Sequence, residues 1–332
     1  MTELGIVLIG CGGMGRSEAR VLADVPQARL VAVCDAYEEA AVEFGREMGV
    51  PAYREAAEVF AHPDVEAVIV ATPNGMHTQL VLDAAAAGKH IFCEKPLAFT
   101  VDECDRMIAA ATRHGVRLMV GHVLRLLPLF SRVIELLDAG VVGEPCAAMI
   151  TRIGWFGDPT ARYRLRKETT GGLLYDITVH EIDLLHRLFG PTQMVSATLG
   201  RTVLQTIDYE ETAHLLLRFR SGATASLFES IASPLSESRG VILATRGALR
   251  YNHGLGQITY QRSGEHDDEV RETVAGTDGE NGYLRELRSF TAWVLHDTAP
   301  LLTAQEGRAA VAVVEAAYAS ARTGQPVEVS VS

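Results

Sequence analysis

The first 35 residues constrain the fold more than any other stretch, because strand, turn and helix signals follow one another there in a fixed order. An apolar run rich in β-branched residues, Leu4 to Ile9, is typical of a buried parallel strand. It leads into a glycine-rich turn, GCGGMG, from Gly10 to Gly15, and a helical pattern follows from Arg16 to Ala23. A second apolar run, Leu30 to Cys34, ends in Asp35. This order predicts two parallel strands joined by a crossover helix.

The turn has the spacing G-x-G-x-x-G, and each of its three glycines has a physical role. Gly10 permits a tight turn, Gly12 lets the backbone approach a ligand closely, and Gly15 lets the helix pack near the strand. Free N–H groups at the helix N-terminus favour a diphosphate. Asp35, twenty residues after Gly15, stands where a carboxylate would bind the ribose hydroxyls and repel a 2′-phosphate. We therefore predict dinucleotide binding, with NAD favoured over NADP. Without the flanking elements, the glycines would indicate only a turn.

Strand and helix signals continue to alternate up to Gly121. Three more apolar runs, Val65 to Ala71, Lys89 to Cys93 and Val116 to Val120, are separated by helical patterns. This alternation predicts a doubly wound parallel sheet. Beyond Gly121, runs of strands with helices to one side predict an α+β domain on an open, mainly antiparallel sheet. We place the domains at 1–121 and 122–332.

Charge and cysteine content exclude some classes of function. The chain of 332 residues carries a net charge of −12, which argues against binding to nucleic acid or to an anionic membrane. Its five cysteines are an odd number without C-x-x-C spacing, so they indicate reduced thiols in a cytoplasmic protein. The beginning of the sequence has no basic segment followed by a long apolar one. We expect neither a signal peptide nor a transmembrane helix.

Two polar clusters follow predicted parallel strands, where ligands of such sheets bind. Thr72-Pro73-Asn74, with His77, comes after the third strand, and Glu94-Lys95-Pro96 after the fourth. A lysine beside a dinucleotide can donate to a hydroxyl and stabilise the alkoxide that develops as hydride leaves. The alternative is a solvated loop lysine with Glu94 as its ion-pair partner.

A third cluster lies on a predicted helix that begins at Gly171-Gly172 and ends near Phe189. Asp176 and His180 are four residues apart, so an α-helix would place them on one face. A carboxylate beside an imidazole can orient it, which suits a proton acceptor near neutral pH. An isolated pair of this kind is more often structural. Since no cysteine or second histidine has ligand spacing, we predict no metal site.

Taken together, these motifs resemble the glucose–fructose oxidoreductase, inositol dehydrogenase and rhizopine catabolism (Gfo/Idh/MocA) family. The matching segments are GCGGMG, AVCD, ATPNGMH, EKP, GHVLRLLP and GGLLYDITVHEIDLL, over essentially the whole chain. EKP with a later D-x-x-x-H is the specific combination. The resemblance implies an N-terminal Rossmann domain and an NAD- or NADP-dependent oxidoreductase acting on a ring carbinol of a sugar or cyclitol. It also implies a homodimer or homotetramer formed through the exposed sheet face.

The resemblance also implies roles for individual residues. Those implied to bind the cofactor are Gly10, Gly12, Gly13, Met14, Gly15, Asp35, Thr72, Pro73, Asn74, His77, Glu94 and Lys95. Those expected to bind substrate are Lys95, Arg125, Trp155, Tyr163, Asp176 and His180, with Lys95, Asp176 and His180 as catalytic residues. The segment around Arg125 resembles dehydrogenases of glucosides or nucleotide sugars more than inositol dehydrogenases. Trp155, Tyr163 and the neighbouring arginines could equally pack or pair between subunits.

The predicted function is oxidation of a secondary ring alcohol of a sugar, glycoside or cyclitol to a ketone, with NAD as hydride acceptor. Two alternatives keep the same fold. One is an NADPH-dependent ketosugar reductase in biosynthesis, and the other is a catalytically silent dinucleotide or sugar sensor. The sensor would be expected to have lost a catalytic residue, whereas Lys95, Asp176 and His180 are all present.

Overall fold

The structure, a computed structural model, describes residues 3–155, 162–264, 269–274 and 282–330. The chain divides into two compact units. The first comprises Met1–Val123 and Gly282–Arg308, and the second comprises Leu124–Asn281 and Ala309–Ser332. The first unit thus includes a later segment, Gly282–Arg308, in addition to the residues before the boundary predicted near Gly121.

The strands and helices follow in chain order. The strands are β1 (Leu4–Ile9), β2 (Ala28–Cys34), β3 (Ala52–Tyr53), β4 (Ala67–Val70), β5 (His90–Glu94), β6 (Leu118–Gly121), β7 (Pro145–Trp155), β8 (Thr192–Gly200), β9 (Thr212–Phe219), β10 (Thr224–Ser230), β11 (Ala232–Ala244), β12 (Gly247–Asn252), β13 (Gln257–Arg262), β14 (Val270–Thr273) and β15 (Val327–Glu328). The helices are α1 (Gly13–Leu22), α2 (Glu38–Met48), α3 (Ala56–Phe60), α4 (His77–Ala86), α5 (Val101–His114), α6 (Pro128–Asp138), α7 (Lys167–Thr170), α8 (Val179–Phe189), α9 (Gly282–His296) and α10 (Ala304–Thr323).

The first unit is built on a six-stranded parallel sheet in the order β3-β2-β1-β4-β5-β6. Every residue of β1 and β4 is buried, as expected for strands covered by helices on both faces. The doubly wound parallel sheet predicted from the sequence is thus confirmed. The strand β3 was not predicted, because its two residues carry no periodic signal. The strand order reverses between β1 and β4, where ligands of such sheets bind.

The helix α9 belongs to this first unit although it lies far away in the sequence. Phe290 is fully buried, and its ring meets that of Phe92 of β5 edge-on, with centroids 5.9 Å apart. Arg117 lies over the ring of Trp293, 5.1 Å from its centroid. The apolar periodicity of this segment predicts a helix, but it does not identify the sheet that the helix covers.

The second unit contains a nine-stranded sheet in the order β14-β13-β12-β11-β7-β10-β9-β8-β15. Its only parallel neighbours among the described strands are β7 and β10, so the predicted open, mainly antiparallel sheet is confirmed. Residues of β9 alternate between a buried and an exposed face. In the described ranges, no helix has the length and apolar character needed to cross a bilayer.

Candidate active site

The glycine turn between β1 and α1 combines two tight contacts with an open surface. A Cβ on Gly10 would lie 2.5 Å from the Ala71 carbonyl oxygen, and one on Gly15 would lie 1.9 Å from that of Gly10. In contrast, a Cβ on Gly12 or Gly13 would have no atom within 4 Å. No side chain caps the N-terminus of α1. This open cradle leaves its first N–H groups facing outward, which suits a diphosphate.

Asp35 closes β2 directly beside this turn. Its Oδ2 accepts a hydrogen bond from the backbone N–H of Cys11 at 2.7 Å, and its Oδ1 accepts one from Tyr37 at 2.9 Å. These two bonds hold the carboxylate in place. Each oxygen keeps a further lone pair, so the group can still accept hydroxyl donors. Asp35 therefore fits the ribose-binding role predicted for it.

Arg16 is a residue near the turn that the sequence reasoning did not assign. Its Nε donates to the Cys11 carbonyl at 3.0 Å, and its guanidinium lies 4.8 Å from the ring centroid of Phe44. Its Nη1 is 3.5 Å from carboxylate oxygens of both Glu43 and Glu47. Its position directly after Gly15 could have indicated from the sequence that it lies near the glycine turn. The two glutamates offset its charge where a 2′-phosphate would need a cation.

The segment after β4 offers a buried donor that has no internal partner. The Thr72 hydroxyl is buried, and no hydrogen-bond partner for it exists among the described residues. Pro73 and Asn74 follow at the start of a short 3₁₀ turn, Asn74–Met76. Buried polar groups normally have partners, so an unpaired hydroxyl at the carboxyl edge of the sheet supports a ligand there. With the open glycine cradle, it shows that the residues present fit a dinucleotide.

His77, which the resemblance implies to lie along the cofactor, is held internally between two turns of the first unit. The ring is fully buried, with Nδ1 at 2.8 Å from the Pro96 carbonyl oxygen and Nε2 at 3.1 Å from that of Thr72. Burial lowers the pKa of His77, which outweighs the opposite effect of the two carbonyls. Because a neutral imidazole has a single N–H, the ring donates to one of these two carbonyls and packs between the turn after β4 and the turn after β5. Its contacts link the backbone of Thr72 to that of Pro96, the residue that follows Lys95.

Lys95 stands at the end of β5, where it is half-buried. Its backbone N–H donates to Oε2 of Glu94 at 3.1 Å. Glu94 is itself buried and faces Glu18 of α1, and burial raises the pKa of both carboxyls, while Lys95 lowers that of Glu94. A Cβ on Gly121 would lie 3.3 Å from Oε1 of Glu94. The Glu94 carboxyl is therefore enclosed within this unit, and Glu18 is a partner that the sequence reasoning missed.

In the second unit, the predicted Asp–His segment begins as a π turn, Leu174–Thr178, before α8 starts at Val179. The prediction of a regular α-helix was wrong at this point. Such π turns occur frequently at functional sites. Gly172 has φ +98°, and a Cβ there would lie 2.4 Å from the Tyr318 hydroxyl. The Leu173 N–H donates to Glu210 at 3.0 Å. The start of the segment is thus held by buried groups.

Asp176 is buried in the π turn and has a cationic neighbour. Its Oδ2 lies 3.6 Å from Nε of Arg164, and the Arg164 carbonyl accepts a hydrogen bond from the Tyr209 hydroxyl at 2.6 Å. Burial and the charge of Asp176 raise the pKa of Tyr209 to about 12. His180 is half-buried one turn further on. Tyr209 is a second residue missed from the sequence, since it lies 33 positions after Asp176.

The other residues expected to bind substrate have different settings. Arg125 is buried, with Nε 3.4 Å from Oδ2 of Asp183 on α8, so its guanidinium has a partner within this unit. Trp155 is 57% exposed at the end of β7 and borders a cavity of about 280 Å³. The side chain of Tyr163 lies outside the described residues.

The described residues contain no cluster of His, Cys, Asp or Glu arranged to hold a metal ion.

Comparisons with known proteins agree with this architecture. Residues 4–122 match a family model described as an oxidoreductase family with an NAD-binding Rossmann fold, and residues 134–329 match its C-terminal α/β domain. The chain is 28% identical to a 2,7-anhydro-N-acetylneuraminate hydratase of Mediterraneibacter gnavus over 99% of its length and 98% of that protein. It is also 28% identical to a myo-inositol 2-dehydrogenase of Thermotoga maritima, covering 95% of each chain.

A solved structure extends this likeness to three dimensions. The aldose-aldose oxidoreductase of Caulobacter crescentus, crystallised with glycerol, superposes with a TM-score of 0.88 at 26% identity and covers 98% of this chain and 99% of its own. Both halves of the protein are thus accounted for by one group of enzymes. The chain belongs to the Gfo/Idh/MocA family of oxidoreductases and carries that family's NAD-binding Rossmann domain.

Proposed function

We propose that this protein oxidises a secondary alcohol on the ring of a sugar, glycoside or cyclitol to a ketone, with NAD as the hydride acceptor. The observation that carries the proposal is the open glycine cradle beside Asp35, in a chain that also presents Asp176 and His180 on a buried π turn. The relative from Thermotoga maritima, whose name gives inositol as its substrate, supports a cyclitol or a similar ring.

Each catalytic side chain has a separate part in this reaction. NAD, when bound, supplies the acceptor for the hydride of the carbinol carbon. His180 takes the hydroxyl proton, and Lys95 donates a hydrogen bond that stabilises the developing alkoxide. Asp176 orients His180 and accepts a hydrogen bond from a substrate hydroxyl, while Arg164 lies beside its carboxylate and holds it in place. We assign Arg125 to support of α8 through Asp183, rather than to direct substrate contact.

A substrate screen tests the proposal directly. Purified protein is incubated with NAD and, in parallel, with inositols, free hexoses, glucosides or nucleotide sugars, and the formation of NADH and of the ketone is followed. Accumulation of one NADH for each ketone supports a dehydrogenase. Because one relative is named a hydratase, the products are also analysed in reactions that form no net NADH. If substrate is converted only in such reactions, without net oxidation, the proposal is refuted.

Replacement of His180 by alanine should abolish the acidic limb of the pH–rate profile. An imidazole must be neutral to accept a proton, so wild-type oxidation should rise as the pH increases and His180 loses its proton. The measurement is kcat against pH for both proteins. His186→Asn is the matched control, since His186 lies on the same helix but pairs with Thr192 at 2.9 Å. A mutant profile that rises as the wild-type profile does would identify another group as the base.

We propose that the protein forms a homodimer or homotetramer through the outer face of the second unit's sheet. Large apolar side chains of four adjacent strands lie on this face. They are Met149, 58% exposed, Leu216, 64% exposed, Leu243, 49% exposed, and Phe228. Contiguous apolar side chains that are exposed on one face commonly mark protein interfaces.

Replacing Leu216 by lysine should therefore dissociate the assembly, because a charge would be buried at the centre of the face. Sedimentation velocity should show at least a halving of the mass at micromolar concentration. Leu255→Lys is the control, since Leu255 is 62% exposed in the connection between β12 and β13. An unchanged mass for the Leu216 variant would show that the subunits meet elsewhere.

We also propose a cytoplasmic location. All five cysteines are free thiols, and four of them are buried. Reduced thiols of this kind are typical of the cytoplasm. Fractionation of cells that express the natural sequence tests this, and recovery in an extracytoplasmic fraction would contradict it.

A further inference from the structure

Two residues that flank His180 connect its helix to the sheet of the same unit. Thr178 is fully buried, and its hydroxyl donates a hydrogen bond to Oε2 of Glu229 on β10. Glu181 is also buried, and its Oε1 accepts a hydrogen bond from Nη1 of Arg152 on β7 at 2.8 Å. We call this group of four side chains the tether; its members are Thr178, Glu181, Arg152 and Glu229.

The sheet brings the two anchoring residues to the same level. The strands β7 and β10 are parallel neighbours, and Arg152 is paired in register with Glu229. The π turn and the first turn of α8 are therefore held at two points, one on each side of His180. Anchors at residues 178 and 181 fix the backbone position from which the side chain of residue 180 projects.

The charges of the tether do not balance if both carboxyls are ionised. Arg152 is the one cation within it, and Glu181 and Glu229 have 4% and 1% exposure. The remaining oxygens, Oε2 of Glu181 and Oε1 of Glu229, have no other hydrogen-bond partner within the described part of the chain, and the two carboxyls interact with one another. Two buried carboxyls in this arrangement favour a single shared proton.

Among the described residues around Glu229, Arg152 is the one cation that lowers its pKa. Tyr251 of β12 approaches the group as a phenol, and burial raises its pKa. His253 borders the same cavity of about 280 Å³ as Glu229, and burial lowers its pKa, with a further decrease from Arg152. Burial and the charge of Glu181 raise the pKa of Glu229 well above its usual range, against the opposing effect of Arg152.

We propose that the tether is a positioning network that orients Asp176 and His180 for proton transfer, and that one proton is shared by Glu181 and Glu229. Its members do not touch the reacting atoms. Thr178 acts through the backbone of the π turn and Glu181 through the first turn of α8, and Arg152 and Glu229 act through those two residues. The inference rests on the proposed function for its catalytic consequence, whereas the shared proton is a property of the folded protein by itself.

The kinetic test uses the full-length protein and three substitutions. Thr178→Val and Glu229→Leu remove one hydrogen bond, and each should lower kcat roughly ten- to a hundred-fold while KM changes little, since a small misplacement of a catalytic group has effects of this size. Glu229→Gln keeps an oxygen that can accept from Thr178 and should restore most of kcat. Glu272→Gln is the control, because Glu272 pairs with Arg132 and lies outside the tether. Equal kcat in all variants would overturn the proposal.

The pH dependence separates a shared proton from a merely structural hydrogen bond. The folded protein keeps a proton that the unfolded chain releases above the ordinary glutamate pKa of about 4.3. Stability from this group is therefore present at low pH and is lost as the pH rises through the raised pKa of Glu229. The wild-type Tm should fall with pH relative to Glu229→Gln, and wild-type kcat should fall at alkaline pH where the variant does not. Parallel Tm curves would refute the shared proton.

A measurement without substrate keeps the positioning role testable if no substrate is found. The ring protons of His180 are assigned by comparison with the His180→Gln variant, and their chemical shifts are followed by NMR. Thr178→Val should move these resonances and the titration midpoint, whereas Glu272→Gln should not. A failed substrate screen with shifted resonances would refute the proposed function alone. Unshifted resonances in a folded Thr178→Val protein would refute the positioning role.

Discussion

Lys95→Ala is expected to lower kcat at least about a hundred-fold, which corresponds to a loss of roughly 2 to 4 kcal/mol of transition-state stabilisation. Lys95 is half-buried at the carboxyl end of β5. Its backbone N–H is bonded to the Glu94 carboxyl, and the carbonyl of the next residue, Pro96, contacts the ring of His77. Because its ammonium group would bind the oxygen most strongly as negative charge develops there, the loss should appear in kcat rather than in affinity for NAD.

The measurement is steady-state turnover together with NAD binding by calorimetry. Lys89→Ala is the matched control, since Lys89 lies just before the same strand and its ammonium donates to the Val65 carbonyl at 2.7 Å. Lys95→Arg keeps the charge but changes its geometry, and should recover only part of the rate. Turnover of Lys95→Ala within a factor of a few of wild type would remove Lys95 from the mechanism.

The protein is expected to use NAD in preference to NADP by at least about a hundred-fold in kcat/KM, the size of effect that a repelled or unpaired buried charge produces. The Asp35 carboxylate is held beside the glycine turn by two backbone N–H groups, so it cannot turn away without losing both bonds. A 2′-phosphate would meet this charge. The nearby cation, Arg16, already interacts with Glu43 and Glu47.

The double substitution Asp35→Ser with Ala36→Arg should reduce this preference or invert it, because it removes the repelling charge and adds a cation at the same turn. Kinetics with both cofactors at one saturating substrate concentration provide the comparison. Asp24→Ser is the control for loss of an exposed acid in the same unit. Equal efficiency of wild type with both cofactors would contradict the prediction and favour the NADPH-dependent reductase.

Much of the first unit could be predicted from the sequence, because its signals are local. The buried strands are continuous apolar runs, and Thr100 caps the N-terminus of α5 in a capping box with Glu103 that can be read directly from the order of residues. The spacing from Gly15 to Asp35 likewise reports a single supersecondary unit. In the second unit, Trp155 and Asp176 could be named as candidate substrate-binding residues, but their positions in the sequence do not predict which residues surround them.

Contacts between distant segments could not be predicted in this way. The packing of α9 on the first unit joins Phe290 to Phe92, 198 positions apart. Glu18 reaches Glu94 only because α1 lies beside the end of β5. No periodicity within either segment contains this information, since it depends on how the sheet is assembled.

The sequence by itself determined the candidate residues: the glycine turn and Asp35 are recognisable from type and spacing, and the family resemblance added Lys95, Asp176 and His180. Only the tertiary structure decided how these groups are held. It places Arg164 beside Asp176, turns the Asp–His segment into a π turn, and anchors that turn to β7 and β10. The physical reason is that spacing specifies neighbours along one helix or strand, whereas burial, charge compensation and a shared proton arise only between elements that the folded sheet brings together.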